Sequence, residues 1–236
     1  MEHSISFKAI SLAPYNAIFL AGSILVYAVV YWGVPLLGNL GVEPMVGWML
    51  LSILFIFTPV IAWGCLLLRR ESGTQSLAER LWLRRPSKAD WLWSALGLLG
   101  IVVGSSLMFW LCTLLGLETN PPFFRNLEPL TENRLWILGL WALYWPINIL
   151  SEDLVWRGIA LPQMEKRLGA RAWLLNALLW GVFHLAFGLG NLLVLLPTLL
   201  LVPFIAQRRR NTWLAVLLHA GLSGPSFLAL AFGLIR

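Results

Sequence analysis

Charge is scarce in this chain. Aspartate, glutamate, lysine and arginine make up 12% of its 236 residues, where soluble domains carry about 25%. So few charges cannot dress the surface of a soluble fold of this size. Cysteine occurs only twice, at Cys65 and Cys112, and both lie inside apolar runs. That argues against a disulfide framework and for a packing role. The first apolar run is not expected to be a cleavable leader. It follows Lys8, is long for a signal-peptide core and lacks a small-x-small site, so it reads as a retained helix. No internal repeat, low-complexity tract or linker divides the chain, and one membrane domain is expected.

Apolar residues are what the chain has in excess. They form 59% of it, with a mean hydropathy of +0.78. They come in runs of about 20, the length that crosses ~30 Å of hydrocarbon as helix. Tryptophan occurs fourteen times. Trp91, Trp93, Trp136, Trp173 and Trp213 sit near run ends, where amphipathic rings favour the headgroup zone. The expected fold is all-α, a polytopic transmembrane helix bundle of about seven spans. These are 15–37, 45–68, 91–117, 134–154, 172–188, 192–206 and 212–235. The sixth carries Pro197 and Pro203 and is expected to kink or to cross incompletely.

The formal charge of +6 suggests nucleic acid until the basic residues are placed. They cluster in short loops between apolar runs, as membrane orientation demands, so no nucleic-acid partner is expected. With a cytoplasmic N-terminus, fourteen basic residues fall inside, and only Arg125, Arg134 and Arg236 fall outside. Residues 1–134 thus read as N-terminal transmembrane helices with a large cytoplasmic loop, 69–90. In that loop Ser76 and Glu79 have capping-box spacing, which predicts a short surface helix with arginines and Trp82 at the interface. The turn-rich loop 118–133 is expected outside. Gly97, Gly100 and Gly104 give the third span a close-packing face.

Ionisable groups within the apolar runs carry the functional argument, because each costs roughly 2.5–3.5 kcal/mol at the bilayer centre on insertion scales. Four stand out: Glu152, Asp153, His184 and His219. Asp153 and Arg157 are spaced i,i+4 and can pair. A helix-end ion pair at the interface is the plainer account of those two. It does not serve Glu152, which points about 100° away. Trp180 precedes His184 by four residues and Ser223 follows His219 by four, so each pair shares a helix face. Taken singly, each histidine reads as a core polar contact between helices. Together, His184 falls about 18 Å and His219 about 14 Å from the basic end of its span. A carboxylate and two imidazoles at matching depth can activate water, with or without a metal.

These strings resemble the CAAX-protease and bacteriocin-processing (CPBP, or Abi) family, whose signatures are EExxxR, FxxxH and HxxxN or HxxxD. Here they stand as Glu152-Asp153-x-x-x-Arg157, Trp180-x-x-x-His184 and His219-x-x-x-Ser223. The resemblance covers about 135–225, which it marks as a protease core, and it implies intramembrane proteolysis at a site open to the cytoplasm. Glu152 and His184 would bind and deprotonate the attacking water. His219 and Ser223 would donate to the oxyanion, and Arg157 would orient the acid pair. Three departures stand out. Trp for Phe keeps an aromatic wall, Asp for Glu shortens one arm, and Ser for Asn removes an amide donor. Glu152, His184 and His219 are also candidate ligands for Zn(II), and the sequence leaves metal-bound and metal-free water equally open. The expected partners are the lipid bilayer and a peptide or membrane-protein substrate, in a bacterial cytoplasmic membrane. Two alternatives stay open: an inactive scaffold or bacteriocin-immunity protein of the same fold, which Ser223 favours, and a proton-coupled transporter.

Overall fold

A computed structural model describes residues 11–70, 75–125 and 128–234. His3, Lys8, Arg236 and part of the 69–90 loop lie outside the described residues. Helix α1 covers Ala13–Asn39 and α2 covers Pro44–Arg70. A short α3 covers Leu77–Arg80, and α4 covers Lys88–Leu114. Helix α5 occupies 136–168, with a π-helical stretch at Leu154–Ala160. Then come α6 at Ala172–His184, α7 at Leu189–Arg209 and α8 at Thr212–Ala231. No strand occurs among the described residues.

The sequence predicts starts and packing well. Glu43 caps α2 by accepting from Val46 N–H. Ser76 and Glu79 form the expected capping box at α3, and the backbone and hydroxyl of Ser76 hold the Glu79 carboxyl below its usual range. A second box, Ser87 with Asp90, opens α4. The small-residue face of α4 lies on α7. A Cβ on Gly97 would meet Ile205 at 2.5 Å, one on Gly100 would meet Leu201 at 3.2 Å, and one on Gly104 would meet Pro197 at 2.8 Å. Backbones come this close only where side chains are absent.

Among the described residues six helical stretches are long and apolar enough to cross a membrane, where the sequence predicts about seven spans. The difference lies in one 56-residue stretch, 132–187. Its first helix does not stop at 154. It continues through the π segment, Gly158 included, to Leu168, and the chain turns at Gly169, whose φ is +57°. The return helix α6 pairs antiparallel with α5: Trp180 bonds Glu152, and Asn176 bonds the carbonyl of Trp156. Helix α7 runs through 21 residues with Pro197 and Pro203 inside it, long enough to cross a membrane.

The bundle has two unlike ends. At one, Arg84 and Arg209 both pair with buried Asp90, at 2.6 and 2.7 Å. Arg210 pairs with Glu165, and Arg80 donates to the Leu68 carbonyl. Lys166, Arg167 and Arg171 close α5 and the turn that follows it. At the other end Arg134 pairs with Glu43 at 2.9 Å, and Asn191 donates to the carbonyl of Thr119. The backbone of Glu118 presses on Gly190, where an added Cβ would collide with its carbonyl oxygen.

Candidate functional site

The site is built around Trp180 on α6. Its indole N–H donates to Glu152 Oε2 at 2.7 Å. The Arg157 guanidinium lies over the same ring, 3.5 Å from its centroid, within cation–π range. His184 and His219 each meet this ring edge-on, with centroids 5.3 Å away. Phenylalanine in this place would supply the ring but no donor.

Glu152 and Asp153 are adjacent on α5 and diverge by about 100°, so they face different helices. Glu152 turns to α6, and its Oε1 also accepts from Asn148 Nδ2 at 2.8 Å. Asp153 turns to α8, where its Oδ2 accepts from His219 Nδ1 at 3.1 Å. Its Oδ1 lies 3.0 Å from Arg157 Nη1, an ion pair by distance without the alignment of a hydrogen bond. Arg157 and Asp153 are both fully buried. The interfacial ion pair that the sequence permits is therefore not what forms. The helix runs on past the pair, and the pair sits in the core.

The imidazole protons can be assigned from their partners. His184 Nδ1 is 2.9 Å from the carbonyl oxygen of Trp180. A carbonyl only accepts, so Nδ1 carries the proton and Nε2 of the neutral ring is an acceptor. His219 Nδ1 faces a carboxylate and is likewise the donor. Its Nε2 donates only when the ring carries both protons. Ser223 Oγ accepts from the indole N–H of Trp145 at 3.0 Å, which leaves its own proton free to point elsewhere.

Glu152, Trp180, His184, His219 and Ser223 line one cavity of about 360 Å³. Asp153 and Arg157 do not line it; they stand behind it. Sequence reasoning missed Asn148 and Trp145. Asn148 was findable, as a lone amide one helical turn before Glu152. Trp145 reaches Ser223 from another helix, and no local pattern signals that. The N-terminal half, which reads as generic membrane helix, supplies much of the wall through Trp48, Phe57 and Phe109. Among the described residues no three His, Cys, Asp or Glu side chains are grouped to hold a metal ion. Glu152, His184 and His219, the candidate zinc ligands, all line the same cavity.

Comparison with known proteins gives one match. The family described as type II CAAX prenyl endopeptidase Rce1-like matches residues 134–224, the stretch that holds every residue named around Trp180. It supports the resemblance at the level of the family. Neither the curated proteins nor the solved structures contain a match to this chain.

Proposed function

We propose that this multi-pass membrane protein is an intramembrane endopeptidase that hydrolyses peptide bonds of membrane-associated, prenyl-type or leader-type substrates. One observation carries the reading: Glu152, His184, His219 and Ser223 come from three helices to a single cavity. The family match over the same residues supports it.

In this reaction a water lies between the Glu152 carboxylate and His184 Nε2, both able to accept from it. Its oxygen bonds to the scissile carbonyl carbon while Glu152 takes one proton. The carbonyl oxygen gains the negative charge. Ser223 O–H and the doubly protonated His219 donate to it, each such donor being worth about 3 kcal/mol in the transition state. Collapse breaks the C–N bond, and the proton on Glu152 passes to the leaving amine. One water is consumed, and one acid and one amine are released.

Asp153 holds His219 by Nδ1 and balances Arg157. Trp180 and Asn148 hold Glu152. With His219 protonated, two acids face two cations, which lowers the cost of keeping all four groups out of water. The test is cleavage of a reporter peptide by the purified chain in proteoliposomes. Release of two fragments that stops in Glu152→Gln supports the reading. Intact reporter with folded wild type would move the assignment to the inactive scaffold.

A further inference from the structure

Two side-chain bonds join α5 to α8. Trp145 Nε1 donates to Ser223 Oγ at 3.0 Å, and His219 Nδ1 donates to Asp153 Oδ2 at 3.1 Å. Residue numbers rise along α5 while they fall along α8, so the two helices are antiparallel. They are also close. A Cβ on Gly224 would meet the Trp145 indole at 2.8 Å, so only glycine lets the ring lie there. Asn148 sits between the two bonds. It lies about 4.5 Å past Trp145 along α5, and His219 lies about 6 Å past Ser223 along α8 in the same direction. Asn148 is therefore level with the gap between Ser223 and His219, the two groups placed at the oxyanion.

The orientation of this amide follows from its partner. Asn148 Nδ2 is 2.8 Å from Glu152 Oε1. An ionised carboxylate only accepts, so the nitrogen of the amide faces it. That bond uses one of two N–H groups. No hydrogen bond among the described residues uses the second. Asn148 lines the same cavity as Glu152, His219 and Ser223. The other oxygen of Glu152 is held separately, by Trp180, so Asn148 is not the only group that keeps the carboxylate in place.

We infer that Asn148 is a further catalytic residue, a third donor to the oxyanion. One N–H of its amide holds Glu152, and the other meets the carbonyl oxygen of the scissile bond as charge develops there. Ser223 brings a hydroxyl and no amide to this place, and α5 supplies the amide from across the cavity. One rigid, planar group then touches both the base and the oxyanion, which sets the spacing between the attacking water and the carbonyl it attacks. The inference rests on the endopeptidase reading and adds a residue to it.

The experiment is a double-mutant cycle between Asn148 and Ser223, read by reporter cleavage with the purified full chain in proteoliposomes. Asn148→Leu keeps the size of the side chain and removes the amide. Its kcat should fall by roughly 10²-fold, the worth of one oxyanion donor, with KM near the wild-type value. Ser223→Asn puts an amide back beside the oxyanion without touching Glu152. It should raise the kcat of Asn148→Leu by about tenfold or more, a larger factor than it gives in the wild-type background. If Asn148 only braces Glu152, the two sites act independently and the factor is the same in both backgrounds. The same cycle with Asn148→Ala, which cannot overpack the cavity, covers a leucine that does not fit. Equal factors in both cycles, or full activity in Asn148→Leu or Asn148→Ala, would overturn the inference while wild-type cleavage leaves the endopeptidase reading standing. A folded wild type that never cleaves the reporter would overturn both.

Discussion

Trp180 and Glu152 are joined by a 2.7 Å hydrogen bond between α6 and α5, indole N–H to carboxylate. This bond fixes the proposed base against the ring that also meets both histidines and Arg157. It exists only because tryptophan stands where the resembled family carries phenylalanine.

The first prediction follows from that bond. Trp180→Phe keeps a ring under Arg157 and beside the histidines but removes the donor. A hydrogen bond to a charged group is worth about 1.5–3 kcal/mol, so reporter cleavage should fall by roughly tenfold to a hundredfold. Thermal stability should drop only modestly. A variant as fast as wild type would show that the indole N–H does not position Glu152.

Asp153 is given a different task. Asp153→Asn leaves Arg157 buried without its counter-charge, a loss of about 3–5 kcal/mol for a broken buried pair. Yield and melting temperature in detergent should fall well below those of Glu152→Gln. Equal stability of the two variants would contradict the separate roles.

His219 should tolerate a donor better than a void. His219→Gln keeps an N–H that can reach the oxyanion, and His219→Ala does not. Residual cleavage should be higher in the glutamine variant, with the gap read in kcat rather than KM. Matching rates would remove His219 from the oxyanion.

Ser223 and Trp145 form a replaceable pair. Asparagine offers an oxygen to the Trp145 indole and an amide donor to the oxyanion, so Ser223→Asn should hold or raise cleavage. Ser223→Ala, which strands the Trp145 donor, should lower it. Wild type that is inactive until Ser223→Asn is made would favour the scaffold reading instead.

Parts of this architecture were legible in the sequence because they rest on local pattern. Helix positions follow from apolar run length, the α3 start from Ser76 and Glu79, and the α4–α7 contact from Gly97, Gly100 and Gly104. The end of the fourth span was not legible. Glu152 and Asp153 look like a membrane boundary, and only the partners on α6 and α8 explain how α5 carries them through the core. The same holds for the shape of the site. Spacing puts Trp180 beside His184, but it does not reveal that the Trp180 indole reaches Glu152 or that Trp145 reaches Ser223. Pro197 faces Gly104 at close range, and α7 stays continuous through it.

The most direct test of the account is turnover by Glu152→Gln. Glutamine keeps the size of the side chain but removes the base. Purified in parallel with wild type, the variant should insert, fold and melt near the wild-type temperature. Its cleavage of the reporter peptide should fall by roughly 10²–10⁴-fold, the usual worth of general-base catalysis. Wild-type turnover in Glu152→Gln would contradict the central claim that this carboxylate activates the attacking water.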